Sequence, residues 1–151
     1  MTKVIFLELY KQNDSSIFWE NQHFFALLDR YPVSPGHALV VPKREVLSIF
    51  DLNTHEKAGF LDVISEAKNA IPWKSLEEFY SSLEGAHSNK ALQSDHLGEA
   101  SNDFNIGVNE GSNAGRTVEQ LHVHIIPRYP GDCRSPKGGL RLLMGPELGH
   151  Y

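Results

Sequence analysis

The chain has 151 residues, close to one domain's worth, and is 40% hydrophobic and 22% charged, the composition of an ordinary water-soluble globular protein. Lys and Arg number 14 against 19 Asp and Glu, a formal charge of −5, so the basic excess of a general nucleic-acid binder is absent, although one local basic pocket for a small anion is not excluded. The single cysteine, Cys133, excludes internal disulfides, cysteine-only zinc sites and CxxC redox motifs, and fits a reducing, cytoplasmic home.

The N-terminal run Val4-Ile5-Phe6-Leu7 is cut by Glu8 and reads as mature protein, not as a signal peptide. No stretch approaches the ~18 apolar residues of a membrane span. Ile17–Glu20 and Phe24–Leu28 flank a polar turn at Asn21-Gln22 and predict a β-hairpin. Pro32, Pro35 and Gly36 mark a loop, and His37–Val41 predicts a third strand closed by Pro42. Asn53-Thr54-His55-Glu56 is a helix-capping pattern, and Phe60, Leu61, Ile64 and Ala67 follow at helical spacing. Pro72 interrupts, and Leu76, Phe79 and Leu83 predict a second short helix. Residues 85–102 are polar and read as a long mobile loop or insertion. Asp103–Asn109 predicts a strand, residues 110–115 a glycine-bearing turn, and Thr117–Ile126 the strongest strand of the chain. The tail after Pro127 is rich in Pro and Gly and ends at Tyr151.

The stretch from Gly115 to Arg128 carries the chemistry. On a strand, Gln120, His122 and His124 share one face, while Leu121, Val123 and Ile125 point into a core. Two imidazoles at that spacing can bind a metal, divide catalytic labour on one substrate, or simply occupy a solvated face. A turn containing Gly111 and Gly115 can present successive N–H groups to an anion, or can be ordinary hairpin chemistry. Arg116 adds a fixed charge there, and the Asn109 amide can donate to a phosphate oxygen.

These residues, with Phe24–Asp29, Pro35–Pro42, Phe104–Gly111, Ala114–Val118 and Gln120–Arg128, resemble the histidine triad (HIT) family of nucleotide hydrolases and transferases. Pro136–Arg141 is similar to the tails of bacterial members, and the whole resembles their diadenosine-polyphosphate-hydrolase-like branch. Two departures stand out. Gln120 occupies the place of the first triad histidine, and the segment before Phe104 is longer and more polar than in compact members.

The resemblance implies an α+β fold, an antiparallel sheet of about five strands with a helix packed across it. It spans a single domain over residues 1–151, with a polar insertion around 85–102. His122 matches the nucleophile that forms a nucleotidyl-histidine, and His124 the third histidine, at the phosphate. His37 matches the histidine that meets the first triad position, so a Gln120–His37 hydrogen bond is expected to orient the nucleophile. Asp29 matches the ribose-binding position. Asn109, Gly115, Arg116, Thr117 and Val118 match the phosphate-binding segment, with Arg116 replacing a common glutamine.

No cofactor is expected. No metal is expected either, since the paired cysteines that some relatives use for zinc are missing. His23, His55, His87, His96, His150 and Cys133 read as incidental. The resemblance further implies a homodimer with the C-terminal tail near the partner's site, and no nucleic-acid or membrane partner. The leading activity is phosphoanhydride hydrolysis releasing a nucleoside monophosphate, with diadenosine tetraphosphate as a candidate substrate. A nucleoside phosphoramidate hydrolase, a non-catalytic nucleotide sensor and a metal-dependent enzyme are the alternatives.

Overall fold

The computed structural model describes residues 5–144. Five strands form one antiparallel sheet: β1 (Ile17–Glu20), β2 (Phe24–Leu28), β3 (Ala38–Pro42), β4 (Asp103–Gly107) and β5 (Val123–Arg128). Their spatial order is β1-β2-β3-β5-β4. The expected α+β architecture is present, as is the hairpin of β1 and β2.

β2 and β3 are buried along their whole length because both sheet faces are covered. On one face Phe24, Ala26, Val40, Val123 and Ile125 meet Val63, Ile64 and Ala67 of a helix. On the other, Phe25, Leu27, Leu39 and Val41 meet Leu7 of an N-terminal helix, α1 (Ile5–Lys11). No helix is predicted there from sequence; a seven-residue segment is too short to be helical without the sheet beneath it.

The capping pattern at Asn53 is realised in full. Its side chain accepts from the Glu56 N–H at 3.0 Å, and the Glu56 carboxylate accepts from the Asn53 N–H at 2.8 Å. Helix α2 (Thr54–Ala58) gives way at Gly59 to α3 (Phe60–Asn69). The buried stripe of α3 is Val63, Ile64 and Ala67, with Phe60 packed beside it. Leu61 lies off that stripe and is 80% exposed, contrary to expectation.

The polar segment is not a plain loop. After α4 (Leu76–Ser81), a further helix, α5 (Ala86–Leu92), buries Ser88 and Ala91. Ala91 joins Leu28, Leu76 and Tyr80 in a third cluster at the end of the sheet. Small buried residues, not an apolar repeat, dock this helix, which is why periodicity misses it.

β5 is displaced from its expected span. It starts at Val123 and runs through Pro127 to Arg128. Before it, the Leu121 N–H donates to the Val46 carbonyl at 2.7 Å, which draws Gln120 and Leu121 toward the loop after β3. Pro127 is tolerated because β3 pairing ends at Ile125, and only β4 flanks the strand beyond.

Candidate active site

His122 and His124 come together at the head of β5, their ring centroids 5.2 Å apart. His124 is flanked across the ladder by Leu39 on β3 and by Gly107 on β4. The His122 Nδ1 lies 2.8 Å from the Gln120 carbonyl oxygen. A carbonyl only accepts, so Nδ1 carries the hydrogen and Nε2 is left with its lone pair. That ring lines a cleft of about 400 Å³.

Gln120 is buried and holds this arrangement from behind, though not through His37. Its amide Nε2 donates to the Pro42 and Arg44 carbonyls at 3.2 and 2.9 Å, and its Oε1 accepts from the Val46 N–H at 3.3 Å. The expected Gln120–His37 hydrogen bond is therefore replaced by three bonds to the 42–46 backbone. That backbone is pinned in turn. Arg44 makes a bidentate contact with Glu56 at 2.7 and 2.8 Å and donates to the Asp51 carbonyl at 2.9 Å. The α2 cap thus reaches the imidazole through Arg44 and Gln120.

His37 pairs with His124 instead, Nε2 to Nδ1 at 2.9 Å. The Val33 N–H donates to His37 Nδ1 at 3.3 Å, so His37 Nε2 carries the hydrogen and donates it to His124. His124 is left with its hydrogen on Nε2, on a ring that also lines the cleft. The result is one lone pair on His122 and one N–H on His124, side by side. Burial pushes His37 down to about 4, outweighing the Asp29 carboxylate beside it, and burial followed by the charge of His122 lowers His124.

This has a measurable consequence. The unfolded chain protonates these rings below about 6.5, whereas folded His37 resists until about 4. The stability held by the neutral pair is complete above pH 6.5 and is lost as pH falls from 6.5 toward 4. Urea midpoints are expected to drop across that window, and His37→Gln to flatten the slope by close to one proton. An unchanged slope would contradict the neutral assignment.

The loop carrying His37 is held from the outside. Gly36 has φ +86°, and a side chain there would meet the Trp73 ring at 2.5 Å. Its N–H donates to the buried Tyr80 hydroxyl at 2.8 Å. Tyr129 donates to the Pro35 carbonyl at 2.9 Å.

Asp29, Asn109, Gly115, Thr117 and Val118 all line the cleft. Asp29 also acts as a turn cap, accepting from the Tyr31 N–H at 2.8 Å, and its other oxygen is 3.5 Å from His37 Nε2. The Asn109 amide reaches the Gly115 carbonyl at 3.4 Å. Arg116 is placed differently from expectation. Its guanidinium donates to the Leu47 carbonyl at 3.0 Å and lies 4.0 Å from Glu110, away from the cleft lining. The turn is also less open to anions than expected, since the N–H groups of Ala114, Gly115 and Arg116 bond to carbonyls of Gly111 and Ser112. Ile5, Phe6 and Leu9 of α1, with Leu27 and Leu39, form an apolar wall that sequence reasoning missed. Positions 5, 6 and 9 share one helical face, and that spacing was the available signal. The Phe6 ring sits 5.1 Å from His122.

Of the histidines read as incidental, His87 and His96 do make contacts. His87 meets Tyr31, and His96 stacks on Tyr129. His150 and Tyr151 lie outside the described residues, as does the tail beyond Met144. Asp29, His37 and His124 bring ligand-type atoms within 4.8 Å of one another. The 2.9 Å between the two rings is a hydrogen-bond distance, shorter than the ~3.3 Å between two nitrogens on a tetrahedral zinc. A metal on His37 Nε2 would also require Nδ1 to take a hydrogen against the Val33 N–H.

Comparison with known proteins gives a consistent answer. Bis(5'-adenosyl)-triphosphatase of Dictyostelium discoideum is 36% identical over 118 residues, 78% of this chain and 63% of that protein. AP-4-A phosphorylase of Mycobacterium tuberculosis is 33% identical over 110 residues, 72% of this chain and 44% of that protein. The chain thus spans less than two-thirds of either relative's length. The crystal structure of a HIT family protein from Bacillus anthracis superposes with a TM-score of 0.60 at 28% identity, covering 85% of this chain and 74% of that one. The family model for the HIT domain matches residues 10–131, a span that takes in all five strands and both cleft histidines. The chain belongs to the HIT domain family.

Proposed function

We propose that the protein hydrolyses a phosphoanhydride bond of a dinucleoside polyphosphate and releases a nucleoside monophosphate through a nucleotidyl-His122 intermediate. The observation that carries this is the fixed pair of tautomers: a lone pair on His122 beside an N–H on His124. His122 Nε2 attacks the α-phosphorus, an N–P bond forms, and the anhydride P–O bond breaks. The departing polyphosphate leaves as an oxyanion stabilised by the His124 N–H. Water then attacks the same phosphorus and restores His122. The lowered pKa of His124 favours an oxyanion leaving group over an amine, which would need a full proton. This ranks anhydride cleavage ahead of P–N cleavage. Asp29 accepts from the ribose hydroxyls, and the apolar wall of α1 receives the base. Gln120 and His37 orient the two working rings.

The names of the two relatives support the substrate class. We read the whole chain as one such domain, working as a cytoplasmic homodimer without cofactor, metal, nucleic acid or membrane. β4 is an edge strand that exposes Ile106, which supports pairing there. Among the described residues no helix is long and apolar enough to cross a membrane. The test is intact-mass spectrometry after a brief, acid-free quench with diadenosine tetraphosphate. An adduct of one AMP unit, with AMP and ATP as products, is expected. Tight binding with neither adduct nor AMP release would make the protein a nucleotide sensor instead.

A further inference from the structure

Two residues beyond Asp29, the Tyr31 ring stands at the mouth of the cleft. It lines the cleft, yet it is 70% exposed. Its backbone is fixed by the Asp29 carboxylate, which accepts the Tyr31 N–H at 2.8 Å. Its ring is in T-shaped contact with His87 of α5, with centroids 5.9 Å apart at 89°. The neighbouring Arg30 also lines the cleft, with its guanidinium held by Asp14 at 2.7 Å, so the turn offers the mouth an aromatic ring beside a paired cation.

We propose that Tyr31 is the platform on which the departing nucleoside of a dinucleoside polyphosphate stacks its base. The inference rests on the hydrolase reading above and adds a second base subsite to it. In either T-shaped arrangement at least one face of the Tyr31 ring is clear of His87, and every nucleobase has a π-face to lay on it. Stacking tolerates any base, so the platform selects for the presence of a second base, purines more strongly than pyrimidines. The polar segment that carries α5 thereby acquires a role in substrate choice, through His87.

The test compares two compounds with the same attacked nucleoside and the same phosphate chain. Diadenosine tetraphosphate has the second adenosine, and adenosine 5'-tetraphosphate lacks it. Wild type is expected to prefer the former, and Tyr31→Ala to reduce the ratio of the two kcat/KM values on the order of tenfold. Tyr31→Trp is expected to preserve the ratio. An equal loss on both compounds, or no loss on either, overturns the platform. Titration calorimetry with a methylene analogue of diadenosine tetraphosphate reads the same discrimination without turnover. If wild type cleaves neither compound, the hydrolase reading fails. Equal wild-type affinity for the analogue and for adenosine 5'-tetraphosphate overturns the platform on its own.

Discussion

Replacing His122 with alanine is expected to lower kcat/KM for diadenosine tetraphosphate by at least about four orders of magnitude, with the fold intact. The size of the effect follows from the loss of the one cleft nitrogen, among the described residues, whose lone pair is fixed by a hydrogen bond on the ring's other side. His124 cannot take over, because its cleft-side nitrogen bears the hydrogen imposed by His37. The variant forgoes ring contacts with Phe6 and His124 and one hydrogen bond to the Gln120 carbonyl, so its melting temperature should fall by only several degrees. Circular dichroism checks the fold, rapid-quench kinetics the rate, and mass spectrometry the missing adduct. A loss below tenfold in a folded variant would place the nucleophile elsewhere.

Gln120→Ala should be the most damaging change outside the cleft. It leaves the buried Pro42 carbonyl, the partly buried Arg44 carbonyl and the Val46 N–H without their Gln120 partner. At about 1 kcal/mol for each lost bond the cost is about 3 kcal/mol, or about 6–12 °C in melting temperature for a chain this long. The Gln120 carbonyl that orients His122 loses its anchor as well, so kcat should fall about ten- to a hundredfold. Gln120→His is the sharper probe. An imidazole offers one donor and one acceptor where the amide uses two donors and one acceptor, so at least one backbone bond is lost. Turnover is expected to change by less than about tenfold. A rise of several orders of magnitude would mean that Gln120 is a catalytic deficit and not a support.

Most of the sheet was legible because strands buried on both faces read as continuous apolar runs, as Phe24–Leu28 and Ala38–Val41 do. The α2 cap was legible because a capping box is written entirely in local residues. Helices α1 and α5 were not, since each is seven residues long and depends on what it packs against. At the site, the adjacency of His122 and His124 followed from strand spacing alone. The partners of Gln120, His37 and Arg116 did not, because they are set by loops that fold back from 69 to 87 positions away along the chain. The late start of β5 has the same origin: Leu121 bonds to Val46 before the ladder begins.

The row from the Val33 N–H through His37 to His124 ends in a backbone amide at its inner side. An amide at neutral pH neither surrenders its hydrogen nor takes another. The row can therefore aim an N–H at the substrate but cannot carry protons away into the protein. It also cannot change one ring alone, because reversing His124 would bring two N–H groups or two lone pairs face to face against His37. Hydrogen traffic during turnover must then pass through bulk water, the substrate's own phosphates or the Asp29 carboxylate that stands 3.5 Å from His37 Nε2. Acid that reaches His37 must add its proton at Nδ1, against the Val33 N–H, and so breaks the row at its inner end.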